Sequence, residues 1–151
     1  MPTEAPRPSA RVPLDDAAPA SQWSAPHRVL ELPLYAVAEW PLRAGRVQAT
    51  RPPGAKVFVR LRYVVEGARP LTDFTARLLV HLFDPTCTNT PLVFSSAPLR
   101  TDGMGDGATT VSIRPEEVPA SVRGAEHGFR LEVAHEGKVA YRTDCTAARI
   151  D

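Results

Sequence analysis

Val57-Phe58-Val59-Arg60-Leu61-Arg62-Tyr63-Val64-Val65 is the stretch that decides the fold. Val57, Val59, Leu61, Tyr63 and Val65 occupy every second position, and Phe58, Arg60, Arg62 and Val64 fall between them. Successive side chains of an extended chain point to opposite faces. A period of two therefore describes a strand with one face in a core and the other carrying arginines into water. Half-buried strands of this kind belong to antiparallel sheets.

The alternation continues outward on both sides. Past the turn residues Glu66-Gly67-Ala68-Arg69-Pro70, one face holds Phe74, Ala76, Leu78, Val80 and Leu82. The other holds Thr75, Arg77, Leu79, His81 and Phe83, a partly apolar set that predicts a central or covered strand. Leu92-Val93-Phe94 reads as a short strand and Asp102-Gly103-Met104-Gly105-Asp106-Gly107 as a turn, with Thr109, Val111 and Ile113 at strand spacing after it. Pro115-Glu116-Glu117-Val118-Pro119 has room for one 3-10 turn between its prolines. A last hairpin joins Phe129, Leu131 and Val133 to Val139, Tyr141, Thr143 and Cys145 across Glu136-Gly137. Upstream, Val29, Leu30, Leu32, Leu34 and Ala36 form a first strand that Pro33 bends or confines to an edge, and Arg51-Pro52-Pro53-Gly54 turns the chain.

The predicted fold is all-β, an antiparallel two-sheet sandwich of about seven or eight strands over residues 28–151. Val57, Val59, Leu61, Tyr63, Leu78, Val80, Val111, Leu131, Val133 and Tyr141 are its expected core. Residues 1–27 read as an extended arm, because Pro2, Pro6, Pro8, Pro13, Pro19 and Pro26 remove backbone donors too often for helix or central strand. Trp23 stands out in that arm as a large aromatic that needs cover, so Pro6, Pro8, Pro13, Pro19 and Trp23 are the candidate partner-binding residues.

Ala68-Arg69-Pro70-Leu71-Thr72-Asp73-Phe74 resembles the L-x-P-x-T-x-Y turn of fibronectin type III and related immunoglobulin-like domains. Ala68 stands for the leucine and Phe74 for the tyrosine, so the tyrosine hydroxyl bond of that family's turn is expected to be impossible here. The run from Thr101 to Ile113 is similar to the Thr-Asp-turn-strand of bacterial Ig-like and prealbumin-like modules. These resemblances imply an Ig-like sandwich, a fold that hosts adhesion, carbohydrate binding, virion decoration and scaffolding alike.

Chemistry-bearing residues are sparse. The four histidines, His27, His81, His127 and His135, never fall at the i, i+2 spacing that would bring two rings to one strand face, so no metal site is expected. Asp102 and Asp106 lack the alternating oxygens and distal Glu of a calcium loop. Ser95-Ser96 has no strand-to-helix elbow, and the adjacent Glu116-Glu117 carboxylates point apart. No cofactor and no catalytic residue follow, and the protein is expected not to be an enzyme. Cys87 and Cys145 are too distant for a CxxC site; they either pair across the sandwich as a disulfide or remain small buried thiols.

With 43% hydrophobic and 23% charged residues the composition is that of an ordinary globular domain. A net charge of +1 gives no field to steer nucleic acid, although Arg60, Arg62 and Arg77 are candidates for a basic stripe. No apolar stretch approaches the ~18 residues of a spanning helix, so no membrane partner is expected. The opening residues carry neither the basic nor the apolar region of a secretory signal, so the expectation is a protein that stays where it is made, leaves by another route, or is a trimmed chain.

Small sandwiches with extended arms resemble the decoration or cement proteins of viral capsids and other shell and fibre components. The expected function is thus a structural or interaction module. Its arm docks on neighbouring subunits of an assembly, in a virion or as a homo-oligomer. An extracellular adhesion or carbohydrate- or protein-binding module is the alternative.

Overall fold

The computed structural model describes residues 29–52 and 57–150. The arm, with Pro6, Pro8, Pro13, Pro19 and Trp23, lies outside the described residues. Among those described, ten strands pair into two antiparallel sheets. The first has four strands: β1 (Val29–Pro33), β3 (Ala44–Thr50), β4 (Val59–Glu66) and β7 (Gly107–Ile113), side by side in that order. The second runs β2 (Tyr35–Ala36), β9 (Lys138–Arg142), β8 (Ala125–His135), β5 (Asp73–His81) and β6 (Leu92–Arg100), with β10 (Thr146–Ile150) also on β8. Two 3-10 turns, Pro115–Glu117 and Ala120–Val122, lead from β7 to β8.

The sandwich follows from the alternation that predicted it. Val59, Leu61, Tyr63 and Val65 are buried from the first sheet, and Leu78, Val80, Leu131, Val133 and Tyr141 meet them from the second. Burial of each such side chain contributes roughly 1.5–3 kcal/mol. Tyr63 brings a hydroxyl into this core and donates it to Arg77 O at 2.8 Å, joining the two sheets. Burial holds its phenol well above the ordinary value, so the group stays a neutral donor.

Four strand readings need correction. Val57 is only half-buried, because pairing begins at Val59 opposite Ile113 and the chain bends at Phe58. That bend turns Phe58 inward against the core instead of outward beside Arg60. β3 carried no signal in Ala44-Gly45-Arg46-Val47-Gln48-Ala49-Thr50, where two residues are fully buried and neither is large. β6 runs through nine residues, beyond Leu92-Val93-Phe94, and Pro98 is tolerated because the strand is an edge. The last strand is not continuous: β9 stops at Arg142 and β10 starts at Thr146.

Thr143 sits in that interruption. Its N–H donates to Leu131 O at 3.0 Å, and its Oγ1 accepts from Leu131 N–H at 3.1 Å. A side-chain oxygen thus stands where a strand carbonyl would be, and β8 stays satisfied across the break. Thr143→Val keeps the shape and leaves the Leu131 N–H buried without an acceptor, so the expected loss is about 1–3 kcal/mol. Thr143→Ser should restore most of it. Equal urea midpoints for Thr143→Val and the parent chain would dismiss this role.

Candidate functional site

One end of the sandwich gathers the features that set it apart. Strand register places Val29, Thr50 and Arg60 in one row across β1, β3 and β4. Next to that row, Phe58 just before β4 and Ile113 on β7 face Val80 and Phe129 of the second sheet and Leu82 just past β5 around an apolar cavity of about 180 Å³. Phe58 is held by two cations, the Arg51 guanidinium 4.4 Å and that of Arg123 5.3 Å from its ring centre. Arg149 also lines the cavity. Around this end Val29, Phe83, Leu92 and Val93 are each more than 40% exposed, with Phe83 at 59%.

The loop between β5 and β6 is built to keep its shape here. Phe83 and Cys87 both adopt left-handed backbone, φ 56° and 57°, which costs a non-glycine residue energy and needs outside support. His127, wholly buried in β8, supplies part of it. Its Nδ1 accepts the Phe83 N–H at 2.8 Å, so the ring proton is on Nε2, which donates to Val122 O at 2.8 Å. The Phe83 ring lies over His127 with centres 4.7 Å apart.

Cys87 and Cys145 are bonded to each other, Sγ to Sγ at 2.04 Å. The bond ties the loop to the gap between β9 and β10. Gly128 makes this approach possible: a Cβ there would lie 2.3 Å from Asp84 O and 2.6 Å from Cys87 Sγ. Inside the loop the Asp84 carboxylate accepts from the N–H and hydroxyl of both Thr86 and Thr88 and from Asn89 N–H. These bonds hold its pKa far below the usual carboxylate range. His81 donates from Nδ1 towards Asn89 O and Oδ1, at 2.9 and 3.1 Å.

The opposite end is closed by polar contacts. Tyr141 donates its hydroxyl to Pro41 O at 2.7 Å and accepts Arg69 N–H at 3.2 Å. Thr101 Oγ1 donates to Arg69 O and accepts Thr72 N–H. The Asp102 carboxylate accepts Met104 and Asp106 N–H, which lowers its pKa, and Asp106 accepts Gly67 N–H. Gly105 packs so tightly that a Cβ would fall 2.1 Å from Ala68 O. Both aspartates are therefore turn residues.

Of the residues singled out from sequence, the structure joins the cysteines and leaves the others apart. Arg60 and Arg62 face outward on β4 in one sheet, while Arg77 lies on β5 in the other, paired with Glu132 at 2.5 Å. The basic stripe does not exist. His127 and His135 sit near the two ends of β8, and His135 bonds to Asp73 O. Among the described residues no cluster of His, Cys, Asp or Glu is arranged to hold a metal ion, and no helix is long and apolar enough to cross a membrane. Sequence reading missed the cavity, the cation-flanked Phe58 and the exposed edge. The signal for the last was available, since Leu92-Val93-Phe94 breaks alternation with three apolar residues in a row. Comparison with protein-family models, with curated proteins and with solved structures finds no match.

Two outcomes test the loop. Replacing Cys87 and Cys145 together by alanine opens a link of 58 residues and should cost about 4 kcal/mol in the chain-entropy model, read as a fall in the guanidinium midpoint. A change below about 1 kcal/mol would show that the unfolded chain gains little freedom. The Asp84 carboxylate has its pKa lowered on folding, so its contribution is full above the unfolded value near 3.9 and fades as pH falls below it towards the folded value. Asp84→Asn should therefore show a smaller loss of stability between neutral pH and pH ~3 than the parent chain. Parallel pH curves for the two proteins would exclude the carboxylate as a source of acid sensitivity.

Proposed function

We propose that this chain is a non-catalytic interaction module of a larger assembly, docked on neighbouring subunits through its N-terminal arm in the manner of a capsid decoration or cement protein. The observation that carries the proposal is positional. β1 begins at Val29, at the end of the sandwich that holds the apolar cavity and the exposed Phe83, Leu92 and Val93. The arm is therefore joined to the sandwich at its apolar end. Apolar area of this kind is where association gains free energy, at about 25 cal/mol per Å² removed from water.

His127 and His135 are engaged in structural hydrogen bonds, His81 is held through Nδ1, and both cysteines form a disulfide, which supports a non-catalytic role. An immunoglobulin-like relation is part of the proposal. In its favour, the turn after β4 does receive a tyrosine hydroxyl, from Tyr141 on β9. Pro and Gly punctuation shapes that turn, and Thr72 Oγ1 donates to Pro70 O within it.

The disulfide favours an oxidising setting, which virion surfaces and extracellular space share. It therefore keeps the second reading in play, an extracellular adhesion or carbohydrate- or protein-binding module. For carbohydrate the place to look is the shallow depression at the closed end, around Trp40 and Arg69, whose guanidinium lies 5.4 Å from the indole centre.

Sedimentation of the intact chain across a wide concentration range tests the assembly. The intact protein should form a defined oligomer. Removal of residues 1–20, which takes Pro6, Pro8, Pro13 and Pro19, should abolish it and leave the β-sheet circular dichroism spectrum unchanged. Undiminished association after that truncation would refute docking through the arm, and a glycan-array signal lost in Trp40→Ala would favour the second reading.

A further inference from the structure

We infer that the apolar cavity between Phe58, Val80 and Phe129 is the seat of the chain's own Trp23, which pins the root of the arm to the sandwich. The inference goes beyond docking on neighbours and does not require it. Three observations carry it, and the first is reach. Trp23 stands six residues before Val29, so a chain rising ~3.3 Å per residue spans about 20 Å. Val29 on β1 is two strand spacings from β4, about 10 Å. The cavity-lining Phe58 and Val59 lie at the start of β4. Thus the indole reaches the cavity with length to spare.

The second observation is size and chemistry. A dry apolar cavity of about 150 Å³ takes up a benzene ring, and this one, at about 180 Å³, suits a somewhat larger aromatic group. Its lining is apolar apart from Arg149. Among residues 1–28 Trp23 is the only Phe, Tyr or Trp, and the other large apolar side chains, Met1, Val12 and Leu14, are much farther from Val29 along the chain. An indole buries on the order of 150–250 Å², more than any of them.

The third is tethering. A short link holds the side chain at an effective concentration in the mM range, so its own cavity fills before that of a second copy at ordinary concentrations. Pro26 within the link restricts the free chain and lowers the entropy lost on seating.

The chain has two tryptophans, Trp23 and Trp40. In the intact chain carrying Trp40→Phe, fluorescence reports Trp23 alone. Because Trp40 packs on Phe74 and Tyr141, the difference spectrum between the parent chain and Trp23→Ala gives the same readout without disturbing them. The expected result is a blue-shifted emission and acrylamide quenching several-fold weaker than in the denatured chain, both independent of protein concentration.

Ala148 and Val118 also line the cavity, and Ala148→Leu or Val118→Phe fills it. Either variant, if folded by circular dichroism, should return Trp23 to the emission of a solvated indole. A solvated emission in the parent chain overturns the inference. So does a shielded emission that survives cavity filling. Shielding lost on dilution assigns the seat to another copy's arm and overturns the own-chain seat. Because this readout needs no assembly, it can fail or succeed separately from the sedimentation experiment, whose truncation retains Trp23.

Discussion

Everything distinctive in this molecule hangs on β8, which pairs along both edges and supports something different on each side. Along one edge it holds β5 through Thr75 to His81, and along the other it holds β9 and β10 end to end. Its inner face sends Phe129, Leu131 and Val133 into the core. Its first residues include His127, which grips Phe83, and Gly128, which admits the disulfide loop. Eleven residues thus couple the sheet, the core and the shaped end, and a shift of one residue in its register would exchange the two faces.

That dependence explains why β8 carries polar groups that a central strand normally avoids. Glu132 is buried and meets Arg77 of β5 at 2.5 Å on the outer face of the second sheet. A buried ion pair of this kind is weak evidence for stability, because desolvation offsets much of the attraction. It does oppose misregister, since a slipped β5 would bury Glu132 without its partner. Tyr63 reinforces the same registration from the other sheet by donating to Arg77 O. Backbone ladder, ion pair and phenol all specify one alignment.

The sequence showed the fold wherever alternation was long and the inward residues large, as in β4, β5 and β8. It failed where burial is shared among small residues. β3 has Val47 and Ala49 facing in, too little apolar signal to tell a strand from a loop, and it is a strand because β1 and β4 flank it. The break between β9 and β10 was equally hidden, because Thr143 and Cys145 keep the spacing of a continuous strand while one makes a side-chain bond and the other a disulfide. The candidate site was the least legible. Phe58 belongs by alternation with Arg60, and only the bend before β4 turns it inward. A cavity arises from where two sheets part, and no local pattern encodes that distance.

The two ends of the sandwich differ in what a newcomer would have to displace. At the closed end Tyr141, Thr72, Thr101, Asp102 and Asp106 satisfy the turn backbones, and any group binding there must replace bonds already made. At the other end the loop is fixed from behind, by His127, the Asp84 carboxylate and the disulfide. Phe83 in the loop and Leu92 and Val93 at the start of β6 are exposed apolar side chains at this end. An apolar rim already held in place loses less conformational entropy on being covered than a flexible one would. The two ends thus differ in kind, one presenting exposed apolar side chains and the other turn backbones already satisfied by polar contacts.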